Sequence, residues 1–127
     1  ALAFSKGLGA VHSMSHALGA DKHLKLHHGT LNGVILPTIL RFNHGHVGDK
    51  YSRIARAMGI AESTDLPDFI EGLNQTIGLP KNLSEMGVTE DMIPGLAEHS
   101  MTDPSNATTP RLPSQDEWEK LFAEAMN

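Results

Sequence analysis

The segment that most restricts the fold is TLNGVILPTILRF, residues 30–42, because nearly every side of it is apolar. A helix that is hydrophobic all round has no face suited to water, so other elements must surround it. Pro37 lies inside this segment and has no backbone N–H to donate, which predicts a kink. We therefore expect a central buried helix around which the remaining chain packs.

Five further segments combine a helical spacing of apolar residues with start and stop signals. They cover residues 2–19, 49–59, 65–80, 89–101 and 114–127. No convincing strand pattern, internal repeat or domain boundary separates them. The sequence predicts an all-α fold of about six helices, orthogonal or bundle-like, in one domain over residues 1–127.

Three of these segments carry more specific expectations. Residues 2–19 include several glycines, each of which weakens a helix by about 1 kcal/mol, so this helix should pack closely against a neighbour. Thr89 and Ser114 precede acidic residues and should cap the two helices that follow them. The apolar side chains of the last segment should lie against the body of the protein, namely Trp118, Leu121, Phe122 and Ala125.

Composition excludes several classes of partner and ligand. The formal net charge is −5 and the basic residues are scattered, which argues against a nucleic-acid surface. No segment resembles a membrane span or a signal peptide. The chain has no cysteine, which fits a reducing compartment such as the cytoplasm and leaves only N and O donors for any metal. We expect a cytoplasmic protein without nucleic-acid or membrane partners.

Histidines are concentrated in HSMSHALGADKHLKLHHG, residues 12–29, which holds five of the chain's eight. His12 and His16 are spaced i and i+4, so a helix places both on one face, and burying them there is costly unless something binds them. Spacing alone leaves metal binding or catalysis and an ordinary hydrogen-bonded role equally open. Adjacent His27 and His28 cannot easily reach one point, so at most one should be a ligand, and the only nearby carboxylate is Asp21.

Two stretches of this region form a recognisable pair. GAVHSMSHALGA followed by HHGTLNGVILPTILRFN resembles the G-x-x-H-x-x-x-H-x-L-G and H-G-x-x-N-x-x-x-L-P-x-x-x-x-F-N signatures of the iron-containing (group III) alcohol dehydrogenases. The likeness continues through KYSRIARAMG and NATTPR to the last helix. It implies the C-terminal part of the family's helical, dehydroquinate-synthase-like domain, in a two-domain enzyme whose nucleotide-binding domain is absent from this chain.

The resemblance also implies roles for individual residues. It assigns Fe(2+) or Zn(2+) binding to His12 and His28, with an Asp and a further His ligand preceding Ala1. It places His16 beside the metal and the nicotinamide of NAD(P), as a catalytic group that orients substrate or passes a proton. Asn32, one helical turn after His28, is expected either to orient an imidazole or simply to be a polar group on the helix. No role follows for the remaining histidines, His23, His27, His44, His46 and His99.

The implied activity is interconversion of an alcohol and an aldehyde or ketone by hydride transfer, with a small-molecule substrate. Two alternatives are a metal-independent ketoacid reductase of the same superfamily and a free-standing helical interaction module. The histidines at both ligand positions favour the metal-dependent enzyme. We expect this chain to be inactive by itself because it lacks a nucleotide-binding domain, and to self-associate through apolar surface.

Overall fold

The computed structural model describes residues 5–21 and 23–127, and the regular structure within them is entirely helical. The α-helices described there are α1 Ala10–Gly19, α2 His28–Asn43, α3 Lys50–Ala57, α4 Leu66–Thr76, α5 Ile93–Met101 and α6 Gln115–Ala125. Short 3-10 helices span Ser84–Met86, Glu90–Met92 and Pro104–Thr108. The predicted all-α fold of six helices is confirmed. None of the described helices combines the length and apolarity needed to cross a membrane.

Helix α2 is the centre of the fold, as its apolar sequence predicts. It contacts α1, α4 and α6, and its buried apolar side chains include Leu31, Val34, Ile35 and Ile39. Pro37 lies within it, so the carbonyl oxygen of Gly33 has no intrahelical N–H partner four residues later. The side-chain amide of Asn74 on α4 donates to that oxygen at 2.7 Å. The proline thus creates a polar attachment point between two helices.

Helix α6 packs against α5 and α2 and completes the core. Its start is a full capping box, in which Ser114 Oγ accepts from the Glu117 backbone and the Glu117 carboxylate accepts from the Ser114 backbone. The predicted apolar face is confirmed, because its four members are all buried: Trp118, Leu121, Phe122 and Ala125. Burying a residue of the size of Trp118 contributes roughly 3 kcal/mol.

The predicted continuous helix over residues 2–19 is wrong at residues 7–9. Residues 2–4 lie outside the described part of the chain, and residues 7–9 are not helical. Gly7 and Gly9 have φ values of 93° and 136°, in the left-handed region that only glycine adopts readily, and α1 begins after them. A Cβ at Gly7 would collide with the side chain of Thr108, so the expected close packing does occur there.

Two other helix starts also differ from the sequence-based expectation. Helix α2 begins at His28 rather than Thr30, because Nδ1 of His27 accepts from the Thr30 backbone N–H at 3.3 Å and caps the helix. Thr89 makes no side-chain cap. Instead the 3-10 turn Glu90–Met92 leads directly into α5, and its backbone supplies the first turn.

Candidate active site

Three imidazole rings meet where α1 packs against the start of α2. The ring centroids of His12 and His28 are 5.2 Å apart, those of His12 and His16 are 5.8 Å apart, and those of His16 and His28 are 5.4 Å apart in a stacked arrangement. Helical spacing puts His12 and His16 on one face of α1, and the packing of α2 adds His28. The face is less buried than predicted, since His12 and His16 are half-buried and His28 is exposed.

The Nε2 atoms of His12 and His28 converge on one point. Both lie near the side-chain nitrogen of Asn32, at 3.4 Å and 3.1 Å. Burial lowers the pKa of His12 from its ordinary value, and the neighbouring His28 and His16 lower it further, while Asp103 opposes the effect. The neutral imidazole that results is the form that binds a metal through its lone pair.

Ser15 holds the opposite edge of the His28 ring. Its hydroxyl oxygen lies 3.1 Å from Nδ1 of His28 and 3.3 Å from the carbonyl oxygen of His12. The single hydroxyl proton can be donated to that carbonyl while the oxygen accepts from the His28 Nδ1–H. This arrangement leaves the lone pair of His28 on Nε2, directed at the point it shares with His12.

His16 pairs with a carboxylate from a distant part of the chain. Its Nδ1 lies 2.9 Å from Oδ2 of Asp103, whose side chain is only 8% exposed. Burial raises the pKa of Asp103, but hydrogen bonds from Ser105 and His16 outweigh it, so the pKa lies below its ordinary value. An ionised Asp103 can only accept, which places a proton on Nδ1 of His16.

The segment that carries Asp103 is fixed to α1 by a second set of bonds. Ser13, which is fully buried, donates from Oγ to Oδ1 of Asn106 at 2.7 Å. The amide nitrogen of Asn106 donates to the carbonyl oxygens of Ser100 and Met101 at the end of α5. The turn Pro104–Thr108 is therefore tied to both helices beside the histidines.

The other sequence candidates do not join the cluster. The ring of His27 caps α2 instead of meeting His28 at a common point, as expected for adjacent histidines. The carboxylate of Asp21 accepts from the backbone N–H groups of His23 and Leu24, so it stabilises its own turn. Exposed side chains characterise the remaining histidines, His23, His44, His46 and His99.

The donor set fits a metal ion only in part. Zn²⁺ takes about four ligands, and the converging Nε2 atoms of His12 and His28 could supply two of them. In the part of the chain that the structure describes, no three His, Asp or Glu side chains are arranged as a metal site. The amide oxygen of Asn32 is buried beside these nitrogens and accepts no hydrogen bond from the described residues.

Ser15 and Asp103 are functional candidates that the sequence did not single out. The pattern Asp103-Pro104-Ser105 is a recognisable cap for a short turn, and the carboxylate does accept from the Ser105 N–H at 2.8 Å. Nothing in the local sequence indicates that its other oxygen reaches His16. Ser15 lies between the two motif histidines, and that position is the one signal that could have marked it as a partner for an imidazole.

Comparison with known proteins agrees with this architecture. A family model described as the C-terminal part of the Fe-containing alcohol dehydrogenase family matches residues 1–126. The chain belongs to this iron-containing alcohol dehydrogenase family.

Similar proteins are dehydrogenases and reductases. The chain is 38% identical over 133 residues to 4-hydroxybutyrate dehydrogenase of Cupriavidus necator, covering 99% of this chain and 35% of that protein. It is 34% identical over 124 residues to lactaldehyde reductase of Escherichia coli K12, covering 91% of this chain and 32% of that protein. The chain thus spans about a third of the length of these relatives.

Solved structures share the fold. One is a crystal structure of 1,3-propanediol oxidoreductase, with a TM-score of 0.85 and 31% identity over 94% of this chain and 33% of that one. Another is an iron-containing alcohol dehydrogenase from Thermococcus thioreducens, with a TM-score of 0.78 and 31% identity over 93% of this chain and 32% of that one. In both, the helical unit described above corresponds to about a third of the chain.

Proposed function

We propose that residues 1–127 are the C-terminal, metal-binding part of a two-domain, NAD(P)-linked alcohol dehydrogenase. The protein would interconvert a small alcohol and its aldehyde or ketone by hydride transfer. In this proposal His12 and His28 bind Fe(2+) or Zn(2+), and His16 contacts substrate and cofactor as the catalytic group. The relatives described above are named for 4-hydroxybutyrate, lactaldehyde and 1,3-propanediol. These names support a short primary alcohol as the substrate.

The observation that carries the proposal is the convergence of the His12 and His28 Nε2 atoms on one point. Two imidazoles whose Nε2 atoms are directed at a common position are suitable ligands for a borderline divalent ion. Ser15 holds the His28 ring through Nδ1, and the helix that carries His12 packs against α2. Partners that orient a ligand in this way strengthen metal binding.

A divalent ion bound there would supply Lewis acidity toward an alcohol oxygen, and NAD(P) would supply the hydride acceptor. The chain's own residues would do the rest. Asn32 now donates toward the same two nitrogens, so metal binding requires its amide to leave their lone pairs. His16 is 38% exposed and can present Nε2 to a substrate hydroxyl while Asp103 holds Nδ1.

The test uses the full-length protein, prepared metal-free and then reconstituted with Fe(2+) or Zn(2+). Reduction of NAD or NADP would be followed at each metal with 4-hydroxybutyrate, 1,3-propanediol, 1,2-propanediol and 1-butanol. We expect alcohol-dependent turnover that requires the metal and is removed by a chelator. Turnover that is equally fast without metal, or reduction of ketoacids alone, would refute the metal-dependent activity.

A matched pair of variants ties the activity to this site. His12→Ala removes one of the converging nitrogens. His46→Ala removes an exposed histidine whose ring bonds only the carbonyl oxygen of His44 among the hydrogen bonds described. We expect the first to lose metal-dependent turnover and the second to keep it.

A further inference from the structure

We propose that Asp103 is a positioning residue that holds His16 in the Nδ1–H tautomer and leaves its Nε2 as an acceptor toward the substrate hydroxyl. The inference rests on the proposed function, because it gives His16 its catalytic use. It adds a residue that the two histidine signatures do not contain. Asp103 does not touch the reacting atoms, since it acts through His16.

When the His16 ring is neutral, the geometry assigns its single proton to Nδ1. Oδ2 of Asp103 lies 2.9 Å from Nδ1 of His16, which is a short distance typical of a charge-assisted hydrogen bond. A carboxylate has no proton to give, so the imidazole must donate from Nδ1. A neutral imidazole has one N–H, and its second nitrogen then carries a lone pair. Asp103 therefore decides which nitrogen of His16 faces the site as an acceptor.

The carboxylate is itself fixed in place. Its other oxygen, Oδ1, accepts from the Ser105 backbone N–H at 2.8 Å in the first turn of Pro104–Thr108. That turn is tied to α1 by a hydrogen bond from Ser13, which lies three residues before His16, to Asn106. A side chain held through one oxygen loses little further rotamer freedom when the other oxygen binds an imidazole. The pair is thus preorganised, unlike a pair of long, exposed side chains.

The two oxygens make a discriminating substitution available. In Asp103→Asn the amide oxygen must stay with the Ser105 N–H, because only an acceptor suits that position. The amide nitrogen then replaces Oδ2 and faces Nδ1 of His16 as a donor. The cap of the turn is retained, whereas the polarity toward His16 is inverted. His16 can keep its hydrogen bond only by moving its proton to Nε2.

The tautomer can be measured directly by NMR in the full-length protein with ¹⁵N-labelled histidine rings, metal-free and Zn(2+)-loaded. His16→Gln identifies the His16 signals by their loss. In the unsubstituted protein we expect a protonated Nδ1 and an unprotonated Nε2, and in Asp103→Asn we expect the reverse. We also expect kcat to fall about 10- to 100-fold with unchanged Zn(2+) content and a KM for the alcohol within about 3-fold.

Two further variants separate positioning from a structural role. Asp65→Asn makes the same change at the cap of α4, where Asp65 accepts from the Asp68 N–H at 3.1 Å, and should alter neither tautomer nor kcat. Asp103→Ser keeps a good capping residue but is too short to reach His16. It should lose the fixed tautomer while the protein stays folded, which decides the question if Asp103→Asn proves unstable.

Several results would overturn the inference. A proton on Nε2 of His16 in the unsubstituted protein would do so at once. Unchanged tautomer and kcat in Asp103→Asn, or a loss of thermal stability with His16 unaffected, would leave Asp103 as a cap only. The tautomer readout does not need turnover, so a protein without dehydrogenase activity would refute the proposed function while the effect of Asp103 on His16 could still be measured.

Discussion

The two ends of α2 both carry histidines, in contrasting surroundings. At its start, His28 meets His12 and His16 of α1. The His28 ring bonds Ser15, which is 13 positions away in the sequence, and the His16 ring bonds Asp103, which is 87 positions away. Beyond its end, His44 and His46 are exposed, and the ring of His46 bonds a carbonyl only two residues away. Side chains that are oriented by distant partners mark the site, whereas the second pair is ordinary surface.

The ion pairs near the C-terminal end of α2 follow the same contrast. Arg41 contacts Asp68 and Glu71 of α4, with 46% of its side chain exposed. Such pairs are screened by water and salt and require two long side chains to be ordered. The Asp103 carboxylate is 8% exposed and bonds a compact ring. The carboxylate beside the histidine cluster is therefore much less exposed to solvent than the ion pairs near the end of α2.

The largest effect that would break this comparison concerns the metal. In the full-length protein we expect His12→Ala and His28→Ala each to abolish stoichiometric Fe(2+) or Zn(2+), because each removes one of the two converging lone pairs. His44→Ala should leave metal content unchanged. Elemental analysis of the purified proteins measures this. A metal-free His16→Ala together with a loaded His28→Ala would show that the helical pair is the true ligand set.

The next effect separates His16 from the proposed ligands. We expect His16→Ala to retain the metal and to lose turnover, because its Nδ1 is already committed to Asp103 and its remaining nitrogen serves the substrate. Steady-state rates and metal content, measured on the same preparation, test this. Full turnover in His16→Ala would show that His16 is not a catalytic residue.

A smaller effect is expected from the partner of His28. Ser15→Ala removes the acceptor for the His28 Nδ1–H, which loosens the ring without removing a ligand. Metal affinity should fall about 10- to 100-fold, as is typical when a group that orients a ligand is lost. Competition with a chelator of known affinity measures the change. Ser13→Ala, on the same helix but bonded to Asn106, serves as the control for metal affinity.

The smallest effect belongs to the far end of α2. Arg41→Ala removes two exposed ion pairs with α4, so the free energy of unfolding should fall by no more than about 1 kcal/mol. Chemical denaturation monitored by circular dichroism gives the value. A loss several times larger would mean that the surface end is as tightly organised as the histidine end and would void the comparison.

Much of the fold follows from local sequence. The apolar character of α2, the Ser114 cap and the apolar face of α6 all depend on residues within a few positions of one another, and the structure agrees with each. The error at the start of α1 arises because Gly7 and Gly9 permit a helix as well as a turn. At Gly7 the close approach of Thr108, which leaves no room for a Cβ, is a tertiary contact that the local sequence does not reveal.

The sequence by itself determined the helices, the pairing of His12 with His16 on one face, and the family to which the signatures belong. Tertiary structure alone decided that Asp103 meets His16, that Ser15 meets His28, and that Asn32 lies between two imidazoles. Helical periodicity is a local property of the backbone and can be read over a few turns. The meeting of groups 87 residues apart depends on how α1, α2 and the turn after α5 pack, and a single sequence carries no local signal for that packing.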